Sequence, residues 1–164
     1  MFDIINESDM NFISENTFRI EKSEVYSSLE DGIKTVEFVR TMGGNLLFVE
    51  AKITFPNPKN PDADNVERFN SEIDAICDKF KHSLNLFSAV EIGVLHDAAA
   101  VEMVLPDNVS LTFLLVIKNH EEVWCKPVEV KLIAGLPDYL KKIWKPTVQV
   151  INHQTAIERN LVIM

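Results

Sequence analysis

A chain of 164 residues, 46% hydrophobic and 25% charged, can bury a substantial single-domain core and is too apolar for a disordered segment. Its net charge of −9 argues against broad electrostatic attraction to nucleic acid or anionic membranes, so any phosphate-binding surface must be local. Residues 1–118 carry 10 Lys and Arg against 20 Asp and Glu, whereas residues 119–164 carry 6 against 5, which favours the last third for such a surface.

No apolar run reaches membrane-spanning length, and MFDIINESDMNF lacks the basic-then-apolar order of a secretory leader. Cys77 and Cys125 are too few and too isolated for a disulfide framework or zinc cluster. A reduced, cytoplasmic setting without membrane contact is the expectation.

Residues 1–16 are polar with scattered apolar positions and read as a loosely attached arm or short helix. Thr17 to Tyr26 reads as an edge strand, and Asp31-Gly32 marks a turn. From Thr35 to Phe55 two strands meet at Gly43-Gly44, a pair suited to a two-residue hairpin because both positions can take positive φ. Val36, Phe38, Leu47, Val49, Ala51, Ile53 and Phe55 alternate along one face and predict a core-facing side. Facing residue numbers then sum to 87, which sets Glu37 opposite Glu50, with Lys52 on the same side. Like charges across a ladder repel, and a divalent cation would remove the conflict. Val39, Leu46 and Phe48 share that second face, so it is covered near the turn and polar only at its far margin.

The proline-rich PNPKNPDADN is a loop. Asp64 or Asn65 can cap a helix running to about Ala89, with Val66, Phe69, Ile73, Ile76, Phe80, Leu84 and Phe87 at helical spacing. Ser110 to Lys118 reads as a strand buried on both faces. Pro127 can open a second helix through about Lys142, divided at Pro137. Thr147 to Ile151 reads as a last strand, followed by a short helix from His153. The order implies one α/β domain over residues 1–164: a mixed central sheet with an N-terminal β-hairpin, a long crossover helix and flanking helices.

LLFVEAK is a hydrophobic strand delivering Glu-x-Lys at its end, with an acid 13 residues upstream. This pattern resembles the PD-(D/E)xK nuclease superfamily, whose restriction-endonuclease-like core sets an acid on one strand and (D/E)xK on the next. By element order the resemblance covers about residues 17–118, and its motif comprises Glu37, Glu50 and Lys52. Here the first acid is Glu rather than the usual Asp, and Val36 precedes it instead of Pro. The resemblance implies metal-dependent phosphodiester hydrolysis of nucleic acid, with Glu37 and Glu50 holding Mg²⁺ or Mn²⁺ and Lys52 orienting water or stabilising developing charge. Relatives also place an acid on an N-terminal helix; Glu21, Glu24 and Glu30 all stand as candidates. Nucleases of this kind often pair, so a homodimer or protein partner is compatible.

The rival reading is a catalytically inactive module of the same fold whose acidic portion binds a basic protein partner. Among other residues, His82, His96, His120 and His153 show no metal-ligand spacing, and His96-Asp97 has no accompanying nucleophile motif. His120-Glu121-Glu122 reads as a solvated loop after a strand. Trp124 and Trp144, interleaved with Lys126, Lys131, Lys141, Lys142 and Lys145, suit either a nucleic-acid strand or helix anchoring.

Overall fold

A computed structural model describes residues 3–29 and 31–164. Its centre is a five-stranded mixed sheet of order β3-β4-β5-β6-β7, formed by Thr17–Phe18 (β3), Phe38–Met42 (β4), Asn45–Lys52 (β5), Ser110–Ile117 (β6) and Thr147–Asn152 (β7). β3, β4 and β5 pair antiparallel, and β5, β6 and β7 pair parallel. The single-domain α/β arrangement with a mixed sheet, expected from the element order, is present.

The hairpin keeps the expected register: Phe38 faces Val49 and Thr41 faces Leu46. Gly43 and Gly44 both have positive φ (56° and 80°), as a primed two-residue turn requires. The strand nevertheless begins at Phe38, not Thr35. Three contacts with the long helix α2, Ala63–Glu91, account for this. The Lys34 N–H donates to His82 Nδ1 (3.1 Å), the Val36 N–H donates to Ser83 Oγ (2.8 Å), and Val36 is buried under the helix. Residues 34–36 are thus drawn out of the sheet, and the Glu37 N–H donates to the Val49 carbonyl (3.0 Å) outside the regular ladder.

Two apolar layers result. On one face α2, α4 (Glu122–Gly135) and α5 (Asp138–Trp144) cover Val39, Leu46, Phe48, Phe113, Leu115 and their neighbours. On the other, Phe38, Leu47, Val49, Ala51, Leu114 and Val116 meet a second sheet and helix α6, His153–Glu158. This second sheet is antiparallel, of order β1-β2-β8, from Asp3–Glu7, Met10–Ser14 and Val162–Ile163. The single expected core face therefore divides: Val36 and Phe55 belong to the helix side, and Ile53 is 43% exposed past the end of β5.

Other expectations change with it. In place of a loose arm or short helix, residues 3–14 form a hairpin, because Ile5, Met10 and Phe12 are buried against the main sheet. The edge strand over Thr17 to Tyr26 shrinks to two residues, followed by a 3-10 turn at Ile20–Lys22 and the one-turn helix α1, Glu24–Ser27. Helix α2 is capped by Asp62, whose side chain accepts from the Asp64 N–H, and Val66 is exposed, whereas the rest of its apolar stripe is buried. The second helical region starts at Glu122, with Pro127 inside α4 and Pro137 separating α4 from α5.

Cys77 on α2 packs against Gly135 at the end of α4; a Cβ built at Gly135 would stand 2.9 Å from the Cys77 sulfur. Gly135→Ala is expected to destabilise the fold by about 1–3 kcal/mol through overpacking. Urea denaturation should show a lowered midpoint, partly restored when Cys77→Ala is added.

Candidate active site

Strand β5 carries its ionisable side chains, Glu50 and Lys52, at its C-terminal end. Its alternation puts Leu46 and Phe48 beneath α2, so Glu50 follows them under the helix and Lys52 emerges at the margin. Glu50 is only 1% exposed. Burial pushes its carboxyl pKa up, opposed by Lys79 and more weakly by Lys52. Lys79 reaches down from α2 and places its Nζ 2.7 Å from Glu50 Oε1; Lys52 Nζ stands 4.0 Å from the same oxygen. Lys52 also pairs with Glu72 of α2 at 3.4 Å. Burial lowers the Lys79 pKa, but the Glu50 carboxylate, with Glu37 and Glu21 behind it, outweighs that and holds the ammonium above its usual range. The second Glu50 oxygen, Oε2, is buried with no hydrogen-bond partner.

Glu37 is half-buried just before β4. Its carboxyl pKa rises to about 9, through burial first, then a hydrogen bond with the Glu21 carboxyl and the charges of Glu50, Glu21 and Glu7. The expected acid pair therefore lies in one electrostatic cluster, although Glu37 and Glu50 do not face each other within the ladder. Of the three candidates for an additional acid, Glu21 in the 3-10 turn joins the cluster, Glu24 is exposed on α1, and Glu30 lies outside the described residues.

The rim is partly basic. Arg19 and Lys22 bind Glu7 at 2.9 and 3.4 Å, and the Ser8 hydroxyl donates to the Ala51 carbonyl (3.0 Å), which ties the N-terminal hairpin to the end of β5. Lys79 and Glu72 were not singled out in the sequence. A usable signal existed: Lys79 is three residues from Ile76 and four from Ser83, at the edge of the buried stripe, and Glu72 lies two turns earlier.

His82 and His120 serve structure. Asp97, beside His96, is buried and accepts from the Val25 and Ala99 N–H groups, so it braces a loop instead of activating a base. His120 is 9% exposed, between the Phe55 and Trp124 rings, which corrects the expected solvated loop. Cys77 and Cys125 are buried, and burial raises both thiols to about 11, far from a reactive thiolate.

No family model matches the chain, and no curated protein or solved structure shows significant similarity to it. The described residues form a single α/β domain with a mixed five-stranded sheet, and no helix among them is long and apolar enough to cross a membrane.

Two outcomes follow from these electrostatics. Because the folded Glu37 pKa lies above its unfolded value, its favourable contribution is full below about pH 4.5 and is lost as pH rises towards about 9. Glu37→Gln should flatten the decline in thermal midpoint between pH 5 and 9 and raise the midpoint at pH 8. Lys79→Met strands the buried Glu50 charge and should cost about 3 kcal/mol at pH 8 in chemical denaturation, less at pH 5 where Glu50 accepts a proton more readily.

Proposed function

We propose that this protein is a metal-dependent phosphodiesterase of the nuclease type, with its centre at Glu37, Glu50 and Lys52 on a restriction-endonuclease-like core. The observation that carries this reading is the crowding of three carboxyl groups, Glu21, Glu37 and Glu50, at the end of β5. A fully buried carboxylate oxygen of Glu50 has no partner, and beside it Glu37 and Glu21 share a hydrogen bond that requires a proton. Excess carboxylate oxygen of this kind suits a hard divalent cation.

In donor type alone Mg²⁺ or Mn²⁺ suits these carboxylates: Glu37 and Glu50 would hold it, with Glu21 beside Glu37. When bound, such a cation polarises a phosphoryl oxygen and acidifies water. The side chains then divide the remaining work. Lys52, with 30% of its side chain exposed and tethered to Glu72, would donate to the phosphate oxygen on which charge develops. Lys79 would hold the Glu50 carboxylate ionised and oriented from behind. Arg19 and Lys22 at the rim would attract the phosphodiester backbone locally, in a chain whose overall charge repels it.

A second reading has its own observation. Lys79 already neutralises one Glu50 oxygen at 2.7 Å, and among the described residues no three His, Cys, Asp or Glu side chains stand close enough together to hold a metal ion. In that reading Lys79 is a permanent cation and the fold is a non-catalytic module whose acidic surface binds a basic protein partner.

Calorimetric titration with Mn²⁺, paired with hydrolysis of end-labelled DNA and RNA, separates the two. The nuclease reading expects saturable Mn²⁺ binding that the Glu37→Gln/Glu50→Gln double variant abolishes. It also expects cleavage that falls about 10²–10³-fold in Lys52→Ala, with metal binding retained. Absence of Mn²⁺ binding by folded wild type, with binding gained in Lys79→Gln, would establish the lysine as the resident cation and overturn the nuclease reading.

A further inference from the structure

The opposite end of the sheet holds a second buried charge. Arg40 on β4 is 5% exposed, on the side of the strand that faces the β1-β2-β8 sheet. Its Nε–H is buried without an acceptor, and no salt bridge among the described residues includes it. A buried donor without an acceptor is destabilising, and no hydrogen bond among the described residues satisfies this one.

Arg40 lines a cavity of about 620 Å³ in the gap between the two sheets, with Ile13, Glu15, Met42 and Asn160 around it. Asn16 and Thr41 also border it, but they are committed to each other, and Asn16 bonds both the carbonyl and the N–H of Val104 (2.8 Å each). They are walls, which leaves the guanidinium as the unsatisfied group. A neighbouring cavity of about 380 Å³ shares Met42 and Gly43 and is otherwise lined by Asn45, Leu47, Leu114, Gln149, Arg159 and Leu161. Glu15 is exposed at the rim; its charge attracts Arg40 without making an ion pair.

We propose that this inter-sheet gap binds a small organic anion, whose phosphate or carboxylate oxygens pair with Arg40. Cavity size is in the range of ligand sites, and a planar guanidinium favours two-point contact with an oxyanion. The site is separate from Glu50 and Lys52: it lies at the Gly43-Gly44 end of the sheet and on the opposite face of β5. It does not depend on the nuclease reading.

The test follows the arginine Nε–Hε resonances of ¹⁵N-labelled protein, with Arg40 assigned by its loss in Arg40→Lys. Inorganic phosphate and acetate are titrated in separate arms at constant ionic strength. The proposal expects a saturable shift of the Arg40 resonance in at least one arm, which identifies the headgroup. It also expects Glu15→Gln to tighten that binding at least about 3-fold by removing the competing rim carboxylate. An Arg40 resonance that stays fixed in both arms, in wild type and in Glu15→Gln, would overturn it. So would a non-saturating drift shared by all arginines, which reports screening alone.

Discussion

Strand β5 cannot be solvated on any side, and the site depends on that. It is hydrogen-bonded along both edges, antiparallel to β4 and parallel to β6, and it is covered by α2 on one face and by the N-terminal hairpin and α6 on the other. Every side chain on it from Leu46 to Ala51 is therefore interior. Placing Glu50 there takes a carboxylate out of water, at a cost of several kcal/mol unless it is paired or protonated. The rest of the cluster can be understood as a response. Lys79 descends from α2, Lys52 approaches from the end of the same strand, and Glu72 holds Lys52 in place.

That compensation is incomplete, and the direction of the imbalance is informative. Two lysines stand within 4.0 Å of one Glu50 oxygen while the other has no partner, and Glu37 and Glu21 can hydrogen-bond only if one keeps a proton. A purely structural ion-pair network would have no reason to crowd acids together where burial already penalises them. Desolvation is the largest cause of the Glu37 shift, so surface screening offers little relief. With its pKa near 9, Glu37 keeps its proton at neutral pH, and that is how the crowding is relieved.

How much of this was legible depended on whether the determinant was local. The Gly43-Gly44 turn and two-residue alternation sufficed for the hairpin register, because turn geometry and pleat are properties of adjacent residues. The crossover helix and buried β6 were equally plain. Which face was the major core was not, since Phe38, Leu47 and Val49 alternate as well as Val39, Leu46 and Phe48, and both sets are buried. The departure of Glu37 from the ladder arises from His82 and Ser83, which bond Lys34 and Val36 from 48 and 47 residues away in sequence. Lys79 was hidden for the same reason: a lysine beside an apolar stripe looks solvated until the strand beneath it carries an acid. The hairpin at Asp3–Ser14 leaves little trace in the sequence because its two short strands bury only Ile5, Met10 and Phe12, with no glycine at the turn. Ser8 and Asp9 take positive φ there instead.

Glu50 and Arg40 mark the two ends of the central hairpin and pose the same physical question with different answers. Both are almost fully buried charges on adjacent strands, on opposite faces of one sheet. For Glu50 the chain supplies its own cation from the crossover helix. Around Arg40 the described residues supply an open gap, an uncommitted N–H and an exposed rim carboxylate. Packing alone would favour replacing such an arginine with methionine or leucine, since an uncompensated buried charge destabilises more than a well-packed apolar group. Retaining it in this fold is reasonable if the missing counter-charge arrives from solution, as an anion small enough to enter between the two sheets.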